Sequence, residues 1–585
     1  MVNSISSDDL IPIEQHFRIS AGPGAGKTYW LINHIKHVLN ISSRLHISRK
    51  IACITYTNIA TETILSRLGQ CSDRVEVSTI HSFLYRNIVK PYIHLIANDY
   101  SLDVHKVEGH DEVFISRSKI ISWITNHPNV RKLSHPFTAR QLELKDNLSA
   151  LKNWLCTLFF KFNSNNELEI FSDRRLAYFD TNQGKRYLNK TCLDLLETDL
   201  LSFKKEYWKE GILHHDDILF FSYQLLNRYP FILRVLQAKF PYFFIDEFQD
   251  SNPIQIQIVE MIGQKETKIG IIGDKAQSIY EFQGADASLF EAFSLDGIID
   301  YRMLENRRST NQIIDCLNII RPDFPQKKHN NINSDLPCIL VGNMKSAYAK
   351  VREFVSSDFV HTLSYKNSIS NVMKKEIDIS IPSDNLLQSL SKKDSNKDRQ
   401  SLILACIKAT EFALLNRFKD ALKELEKQFK KHKDLAKKEA LKHLVLLVNK
   451  HKEYRDGSLL DYHAFINTHV KQIASLRKGG ILNFYANHTY QQLAVCVNII
   501  EDNSLHKTIH KSKGDEFDNV ILILEKEQDL KFLFAPNLNE EENHRVFYVA
   551  MSRAKKRLFI SVPTLSDENR SKIDSGLFDL VDLSE

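Results

Sequence analysis

Short apolar runs that end at polar or glycine-rich segments recur along this chain. Runs without alternating polar positions are typical of parallel strands that are buried on both faces. Residues 240–245, for example, read FPYFFI and stop at two acidic residues. The pattern therefore predicts an α/β fold built on parallel sheets. The predicted strands are residues 17–20, 240–245, 268–273, 339–341, 360–364 and 520–523.

Two long stretches favour helices instead. Residues 91–209 form one of them, and residues 376–494 form the other. In the second stretch, apolar side chains recur at the spacing of one helix face. They include Phe418, Leu422, Leu425 and Phe429. The start of this stretch, residues 383–400, is polar and predicts a flexible joint.

A glycine-rich loop follows the first predicted strand. Residues 21–28 read AGPGAGKT and lead into the apolar start of a helix. Glycine lets the chain turn tightly enough for backbone N–H groups to face a phosphate, and a helix N-terminus adds positive charge. Lys27 is placed to reach the β- and γ-phosphates of a nucleotide, and the Thr28 hydroxyl to bind Mg²⁺. A chance match stays open, because the generic motif begins with glycine and this loop begins with Ala21. The expected phosphate-binding residues are Gly22, Gly24, Ala25, Gly26, Lys27 and Thr28.

Two later strand ends carry residue types that nucleotide hydrolysis needs. Asp246 is suited to hold Mg²⁺ through water, and Glu247 to orient or deprotonate the attacking water. Alone, the pair is better explained by a strand that ends in solvated acids, but with the phosphate loop some 220 residues earlier, nucleotide hydrolysis is favoured. After the next strand, Gln277 is a candidate sensor of the γ-phosphate. Tyr280 and Phe282 offer flat faces for stacking bases, although such residues more commonly belong to a core.

Composition narrows the class of protein. The 585 residues are 43% hydrophobic and 26% charged, as in an ordinary globular protein of about three or four domains. No apolar run approaches the ~20 residues needed to cross a membrane, and no export signal is visible, so we expect a cytoplasmic protein. The eight cysteines lack C-x-x-C spacing, which argues for reduced thiols rather than a metal centre. A net charge of +6 means that a polyanion would need a local basic patch.

The ordered motifs resemble those of UvrD/Rep-type superfamily 1 helicases, whose phosphate loop also begins with alanine. The second motif of that family appears as DEFQD at residues 246–250, and the third as GDKAQSIY at residues 273–280. The other similar segments are ITYTNIA at 54–60, STIHSF at 78–83, LENRRS at 304–309, TIHKSKGDEF at 508–517 and YVAMSRA at 548–554. These motifs span most of the chain, which makes a chance match very hard to obtain.

The resemblance implies an ATP- and Mg²⁺-dependent enzyme that acts on single-stranded or tailed duplex DNA. It implies that Arg308 and Arg553 stabilise the transferring phosphoryl group, together with Glu247 and Gln277. The further nucleotide-binding residues implied are Gln15, Arg307, Gly514 and Glu516. The residues implied to line the DNA strand are Tyr56, Thr57, Thr79, His81, Tyr280, Phe282 and His510.

Three positions depart from the family pattern. Arg307 stands where the family has a tyrosine that stacks on adenine, and a guanidinium plane can also stack. Phe282 and Gln283 replace a Trp-Arg pair, so that one positive charge is lost near the expected DNA path. Gln15 lies closer to the phosphate loop than the adenine-reading glutamine of the family.

The resemblance also implies two RecA-like P-loop motor domains, each with a mainly helical insertion. The implied boundaries are 1–90 and 210–295 for motor domain 1A, 91–209 for insertion 1B, 296–375 and 495–570 for motor domain 2A, 376–494 for a reduced basic insertion 2B, and 571–585 for an acidic tail. Within the second insertion, residues 417–455 hold 13 Lys/Arg against 6 Asp/Glu. A solvated helical hairpin explains this segment as well as a phosphate-backbone track or a partner-docking surface does.

Two functions are expected from these observations. The first is an ATP-dependent single-stranded DNA translocase and helicase that moves 3′ to 5′. The alternative is a DNA-sensing ATPase subunit that regulates a partner nuclease, because compact UvrD-like proteins of this layout resemble the helicase subunit of Gabija-type bacterial antiphage systems. The sequence shows no nuclease motif after residue 554, so DNA cleavage would belong to another polypeptide.

Overall fold

The chain folds into two compact units. The computed structural model describes residues 3–110, 115–181, 184–281, 284, 287–356, 359–375, 385–429, 433–498 and 504–583. Unit 1 comprises Met1–Arg307 and Phe324–His329, and unit 2 comprises Arg308–Asp323 and Asn330–Glu585. The chain therefore passes between the units after residues 307, 323 and 329.

Unit 1 is built on a sheet whose seven described strands all run parallel. Two of its inner strands, Ile51–Thr55 and Tyr242–Ile245, are buried at every position, as expected where helices cover both faces. The predicted α/β class with parallel sheets is confirmed. The order across the sheet is Asn3–Ser4, Ile299–Met303, Phe17–Ala21, Lys268–Gly273, Tyr242–Ile245, Ile51–Thr55 and Val75–Thr79.

The first sheet extends past the boundary at residue 295 that the motifs imply. Ile299–Met303 pairs in parallel with Phe17–Ala21, in register from Ile299 opposite Phe17 to Met303 opposite Ala21. The strand is amphipathic rather than continuously apolar, which is why no apolar run marks it in the sequence. Unit 1 therefore keeps the chain up to Arg307.

Residues 91–209 are mainly helical, with two small antiparallel hairpins. Phe159–Phe162 pairs with Leu168–Phe171, and Tyr178–Thr181 pairs with Gly184–Tyr187. A separate core of this region surrounds the buried Trp123 and Trp154. The helices of unit 1 are Lys27–Ile41, Asn58–Leu68, Ile80–Leu84, Lys90–Tyr92, Arg117–Thr125, Ala139–Leu142, Lys145–Leu155, Lys190–Glu197, Leu200–Trp208, His215–Arg228, Pro230–Lys239, Pro253–Gly263 and Ser288–Ala292.

Unit 2 contains a second sheet, whose six described strands are again parallel. One edge strand, Asp579–Asp582, lies in the segment expected to be an acidic tail and pairs with Cys338–Val341. Its two central apolar residues are too few to register as a hydrophobic run. The order across the sheet is His506–Thr508, Val360–Ser364, Phe517–Ile523, Ala554–Val562, Cys338–Val341 and Asp579–Asp582.

The expected flexible joint at residues 383–400 is instead helical where the structure describes it. Asn385 and Asn396 cap the helices Leu386–Lys393 and Lys397–Leu414. Between them, the buried Asp394 carboxylate accepts two hydrogen bonds from the buried Arg399 guanidinium, at 2.8 and 2.5 Å. The prediction of a flexible joint was wrong because the polar sequence pattern does not reveal that Asp394 and Arg399 are paired and buried.

The basic segment 417–455 forms packed helices. Ala421 and Leu425 of one helix and Ala440 and Leu444 of another lie in the same core. Its described lysines are largely exposed, as a solvated hairpin requires. The helices of unit 2 are Asn311–Ile320, Met344–Val355, Asn367–Lys375, Leu386–Lys393, Lys397–Leu414, Phe418–Glu426, Lys433–Asn449, His451–Tyr454, Leu459–His469, Gly480–Asn487, Tyr490–Ala494, Lys531–Phe534, Glu542–Met551 and Asp567–Arg570.

Two chain-wide features complete the fold. All eight cysteines lie in described segments, and none forms a disulfide. Among the helices that the structure describes, none combines the length and apolar character needed to span a membrane.

Candidate active site

The phosphate loop joins the Phe17–Ala21 strand to the Lys27–Ile41 helix. Gly24 and Gly26 have φ angles of 73° and 83°, a left-handed conformation that glycine adopts without strain. A Cβ on Gly26 would also lie 2.9 Å from the Cβ of Ser7. No described side chain caps this helix N-terminus, which leaves its first N–H groups for an anion.

The loop lies against the carboxylates that follow the Tyr242–Ile245 strand. The Lys27 ammonium is 3.4 Å from Glu247 Oε1, and the Thr28 hydroxyl donates to Asp246 Oδ2 at 3.3 Å. Glu247 adopts a φ of 55°, which is strained for a residue with a Cβ and is typical of functional turns. The strand order thus brings together four predicted site residues that are some 220 residues apart in sequence.

The electrostatics of this corner suit a divalent cation. Burial, and next the charge of Glu247, raise the pKa of the Asp246 carboxyl above its ordinary value, while Lys27 opposes the rise. A cation beside Asp246 would relieve this repulsion. Among the described residues, no three His, Cys, Asp or Glu side chains are grouped to hold a metal ion. Asp246 and Thr28 therefore fit Mg²⁺ only if phosphate and water oxygens supply the remaining ligands, as is usual for that ion.

A chain of hydrogen bonds links Glu247 to Gln277. Gln249 Nε2 donates to Glu247 Oε2 at 2.5 Å, and Gln249 Oε1 accepts the Asp274 N–H at 2.9 Å. The Asp274 carboxylate accepts in turn from Gln277 Nε2 at 2.6 Å. Sequence reasoning did not assign Gln249 or Asp274 a role, although both lie within the quoted motifs. Gln249, Asp274 and Gln277 are buried, and their hydrogen bonds hold Gln277 in fixed relation to the partly exposed Glu247.

The two residues expected near the adenine are engaged by neighbouring side chains. Gln15 Nε2 donates to the Tyr301 hydroxyl at 2.7 Å. The Arg307 guanidinium lies 2.6 Å from Asp8 and 2.9 Å from Glu305, while its backbone N–H donates to the Gly24 carbonyl at 2.9 Å. Arg307 therefore contacts the phosphate loop through its backbone, and base stacking stays a prediction.

Two of the residues expected to line DNA lie together beyond the carboxyl ends of two strands of the first sheet, which are separated by the Tyr242–Ile245 strand. Tyr56 follows Ile51–Thr55, and Tyr280 follows Lys268–Gly273. Their rings are stacked, with centroids 4.7 Å apart and an angle of 24° between the planes. Single-stranded DNA bases stack on aromatic faces of this type. We call the pair the aromatic platform; Tyr280 is only 9% exposed, and contact with DNA stays a prediction. Phe282 lies outside the described residues.

Thr57 and Thr79 both begin helices. The Thr57 hydroxyl accepts from the Ala60 N–H at 3.2 Å, and the Thr79 hydroxyl accepts from the Ser82 N–H at 3.4 Å. These caps account for both threonines structurally, and contact with DNA stays a prediction.

His81 lies in a group of three histidines. Its ring centroid is 5.3 Å from that of His215 and 6.4 Å from that of His110. Burial, and then these two neighbours, lower the pKa of His81 to about 3. His81 is therefore neutral near pH 7, so any contact it makes with DNA would be a hydrogen bond or stacking rather than an ion pair.

Unit 2 groups the predicted residues of its own motifs. The Arg308 guanidinium lies 2.6 Å from Glu516 and donates to the Ser552 carbonyl at 2.8 Å. The buried Arg553 donates to the Val549 carbonyl at 3.1 Å and to the Ser552 hydroxyl at 3.0 Å. Burial opposes the ionisation of Glu516, but Arg308 and then Arg553 hold its pKa below the ordinary value.

Two further predicted residues follow the His506–Thr508 strand of unit 2. Gly514 has a φ of 90°, a turn that glycine accommodates. His510 lies 5.8 Å from Tyr365, measured between ring centroids. Their roles toward ligands stay predictions.

Comparison with known families covers nearly all of this architecture. The model of the UvrD/REP helicase N-terminal domain matches residues 3–297, and that of the UvrD-like helicase C-terminal domain matches residues 232–564. The two matches together include the phosphate loop, the carboxylates and both arginines of unit 2.

The share of a relative's own length that aligns with this chain differs between the similar proteins. Gabija protein GajB of Bacillus cereus (strain HuB5-5) is 24% identical, and the match covers 92% of this chain and 92% of that protein. The ATP-dependent DNA helicase PcrA of Bacillus subtilis (strain 168) is 25% identical over 57% of this chain and 41% of PcrA. The PcrA of Staphylococcus epidermidis (strain ATCC 35984) is 24% identical over 56% of this chain and 41% of that protein.

Proposed function

Because this chain belongs to the UvrD/REP helicase family, we propose that it hydrolyses ATP to move 3′ to 5′ along single-stranded DNA and unwind duplex ahead of it. One observation carries the proposal. Lys27 lies 3.4 Å from Glu247, and Thr28 lies 3.3 Å from Asp246. Those four side chains supply the cation-binding, phosphate-binding and base functions of a P-loop ATPase in one place.

Each residue of this corner has a distinct role in the proposal. Magnesium-bound ATP, when present, supplies the phosphoryl group and the charge neutralisation. Lys27 and the loop N–H groups bind the phosphates, and Thr28 and Asp246 hold the cation. Glu247 orients the attacking water and accepts its proton, with its carboxylate fixed by Gln249. Gln277, a residue of the third motif that is tied to the same network, senses the γ-phosphate.

Unit 2 supplies two arginines to the proposal. By the family resemblance, Arg308 and Arg553 stabilise the charge that develops on the transferring phosphoryl group. Within unit 2 the two guanidinium groups are held by partners around Ser552. Such support keeps the arginines oriented while hydrolysis changes the charge they face.

The DNA side of the proposal rests on the aromatic platform. Tyr56 and Tyr280 would stack bases. By the family resemblance, His81 of unit 1 and His510 of unit 2 would also contact the strand. Stacking on aromatic faces tolerates any base, as a translocase that moves along DNA requires.

Two measurements on the purified chain test this function. One is steady-state ATP turnover with and without single-stranded DNA, and the other is strand displacement from 3′- and 5′-tailed duplexes. We expect DNA-stimulated turnover and displacement from the 3′ tail only. Displacement from the 5′ tail alone would refute the polarity, and an absence of turnover in saturating Mg²⁺, ATP and DNA would refute the motor.

A second candidate is a DNA-sensing ATPase subunit that regulates a partner nuclease. It is favoured by the match to the Gabija protein over 92% of both chains, whereas the PcrA match covers only 41% of PcrA. In this case DNA would stimulate ATP turnover without efficient displacement by the chain alone. Co-expression with the neighbouring open reading frames, followed by gel filtration and a DNA-cleavage assay, would then yield a stable complex with ATP-dependent nuclease activity.

A further inference from the structure

Six residues of unit 1 are inserted into the sequence of unit 2. The segment Phe324–His329 belongs to unit 1, whereas the residues before and after it belong to unit 2. We name this segment the strap. It follows the helix Asn311–Ile320, and beyond it Asn331 and Asn333 accept hydrogen bonds from the Asn311 side chain at 2.9 and 2.8 Å. Both ends of the strap are therefore tied to one helix of unit 2.

The strap is anchored in unit 1 by backbone pairing. Lys327 and Lys328 pair in parallel with Glu305 and Asn306, and the Lys327 N–H donates to the Leu304 carbonyl at 2.7 Å. This pairing holds the strap beside the residues that precede Arg307.

One side chain of the strap reaches the phosphate loop. Gln326 is only 5% exposed, and its Nε2 donates to the Pro23 carbonyl at 2.6 Å. Its Oε1 accepts from Asn306 Nδ2 at 3.1 Å, which sets the orientation of the amide. A Cβ on Gly22 would lie 2.5 Å from Gln326 Nε2, so glycine at position 22 makes room for this contact.

Holding a carbonyl fixes the next amide group, because the peptide unit is planar. Gln326 holds the carbonyl of Pro23, and the Arg307 N–H holds that of Gly24 at 2.9 Å. These two bonds therefore orient the N–H groups of Gly24 and Ala25 in the middle of the loop, where the Ala25 N–H donates to the Gly22 carbonyl at 3.3 Å.

We propose that Gln326 is a positioning residue of the nucleotide site, and that the strap couples displacement of unit 2 to the orientation of the phosphate-loop amides. The inference rests on the proposed nucleotide site. Because the strap is covalently continuous with unit 2 at both ends, a displacement of that unit pulls on Gln326. The loop amides then turn toward or away from the phosphates.

The first test replaces the donor without changing its size. In Gln326→Glu, a carboxylate oxygen faces the Pro23 carbonyl and cannot donate to it. We expect the KM for ATP and the dissociation constant of a fluorescent ATP analogue to rise about tenfold, with kcat changed less than about twofold. Gln264→Glu, at an exposed helix end of unit 1, is the matched control. Unchanged analogue binding, or a loss confined to kcat, would overturn the positioning role.

The second test leaves Gln326 in place and loosens the strap. A Gly-Gly insertion between the exposed Pro322 and Asp323 adds slack on one side. We expect DNA-independent ATP turnover to stay the same and the stimulation by DNA to fall at least about fivefold. The same insertion between Ser575 and Gly576 is the control. Full DNA stimulation in the strap variant would overturn the coupling.

The outcomes separate this inference from the proposed function. A wild-type chain that binds the analogue but hydrolyses no ATP would refute the proposed motor, while the Gln326→Glu binding assay would still decide the positioning role. A wild-type chain that binds no analogue would overturn both. Circular dichroism and the thermal midpoint of each variant establish that a loss of binding reflects the site and not unfolding.

Discussion

Replacing Glu247 with glutamine isolates the base from the rest of the nucleotide site. The amide has the shape of the carboxylate and can keep a hydrogen bond with Gln249, but it cannot accept a proton from water. General-base catalysis contributes about 10²- to 10⁴-fold to rate, or about 2.7–5.4 kcal/mol of barrier. We therefore expect kcat for DNA-stimulated ATP turnover to fall by about that factor.

The same substitution should strengthen nucleotide binding although it slows turnover. Glu247 Oε1 lies 3.4 Å from the Lys27 ammonium, and the two side chains are 25% and 10% exposed. At an effective dielectric constant of 20, the Coulomb attraction is about 5 kcal/mol before the solvation of both groups is counted. Net values for partly exposed pairs are only about 0.2–1 kcal/mol. Freeing Lys27 should therefore lower the dissociation constant of ATP by no more than about fivefold.

The assay measures phosphate release at saturating ATP and single-stranded DNA, beside equilibrium binding of a fluorescent ATP analogue. Glu291→Gln is the matched control, because Glu291 also pairs with a lysine, Lys275, at 3.0 Å but is 64% exposed. The control should leave both readouts unchanged. A Glu247→Gln protein that turns over ATP within tenfold of the wild-type rate would refute the assignment of Glu247 as the base.

The remaining predictions concern the cation, the DNA platform and the insertion. Asp246→Asn should abolish ATP turnover yet stabilise the nucleotide-free protein at pH 7.5. Burial and Glu247 raise the pKa of Asp246 in the folded state, so the free energy of unfolding of the wild type falls as pH rises through that pKa. Urea unfolding at pH 5 and 7.5 should show a weaker pH dependence of this free energy in the variant. Tyr280→Ala should weaken binding of oligo-dT about 5- to 150-fold by fluorescence anisotropy, while Tyr280→Phe should bind as the wild type does. Arg399→Leu leaves the buried Asp394 without its ion pair and should lower the free energy of urea unfolding by about 3–5 kcal/mol; a change below 1 kcal/mol would contradict the role of this pair. EDTA should stop ATP turnover and excess Mg²⁺ should restore it, whereas full activity in EDTA would exclude the cation role of Asp246.

The sequence predicted those parts of the fold that leave local patterns. Continuous apolar runs marked strands such as Tyr242–Ile245, and the glycine pattern located the turn into the Lys27–Ile41 helix. The meeting of the phosphate loop with Asp246 could be expected because parallel strands end at a common edge of a sheet.

Features held by long-range pairing could not be predicted. Ile299–Met303 and Asp579–Asp582 are strands only because a neighbouring strand supplies hydrogen bonds, and their short or mixed patterns do not distinguish them from loops. Residues 385–400 are polar, and this composition predicts a solvated segment. Their helical fold depends instead on the buried ion pair of Asp394 and Arg399. Gln326 belongs to no motif and contacts the phosphate loop across some 300 residues of chain.

The Phe17–Ala21 strand leaves the ribosome before the two strands that pair with it, which are synthesised much later. Lys268–Gly273 and Ile299–Met303 begin roughly 250 and 280 residues downstream, so at about 5–20 residues per second some 12 s to a minute passes before the first sheet can close. Throughout that interval Phe17 and Ile19, which are fully buried in the finished protein, have no sheet to join. The nascent chain is therefore exposed to chaperones, proteases and self-association before it has a phosphate loop. A chain truncated before Met303 cannot form the complete first sheet.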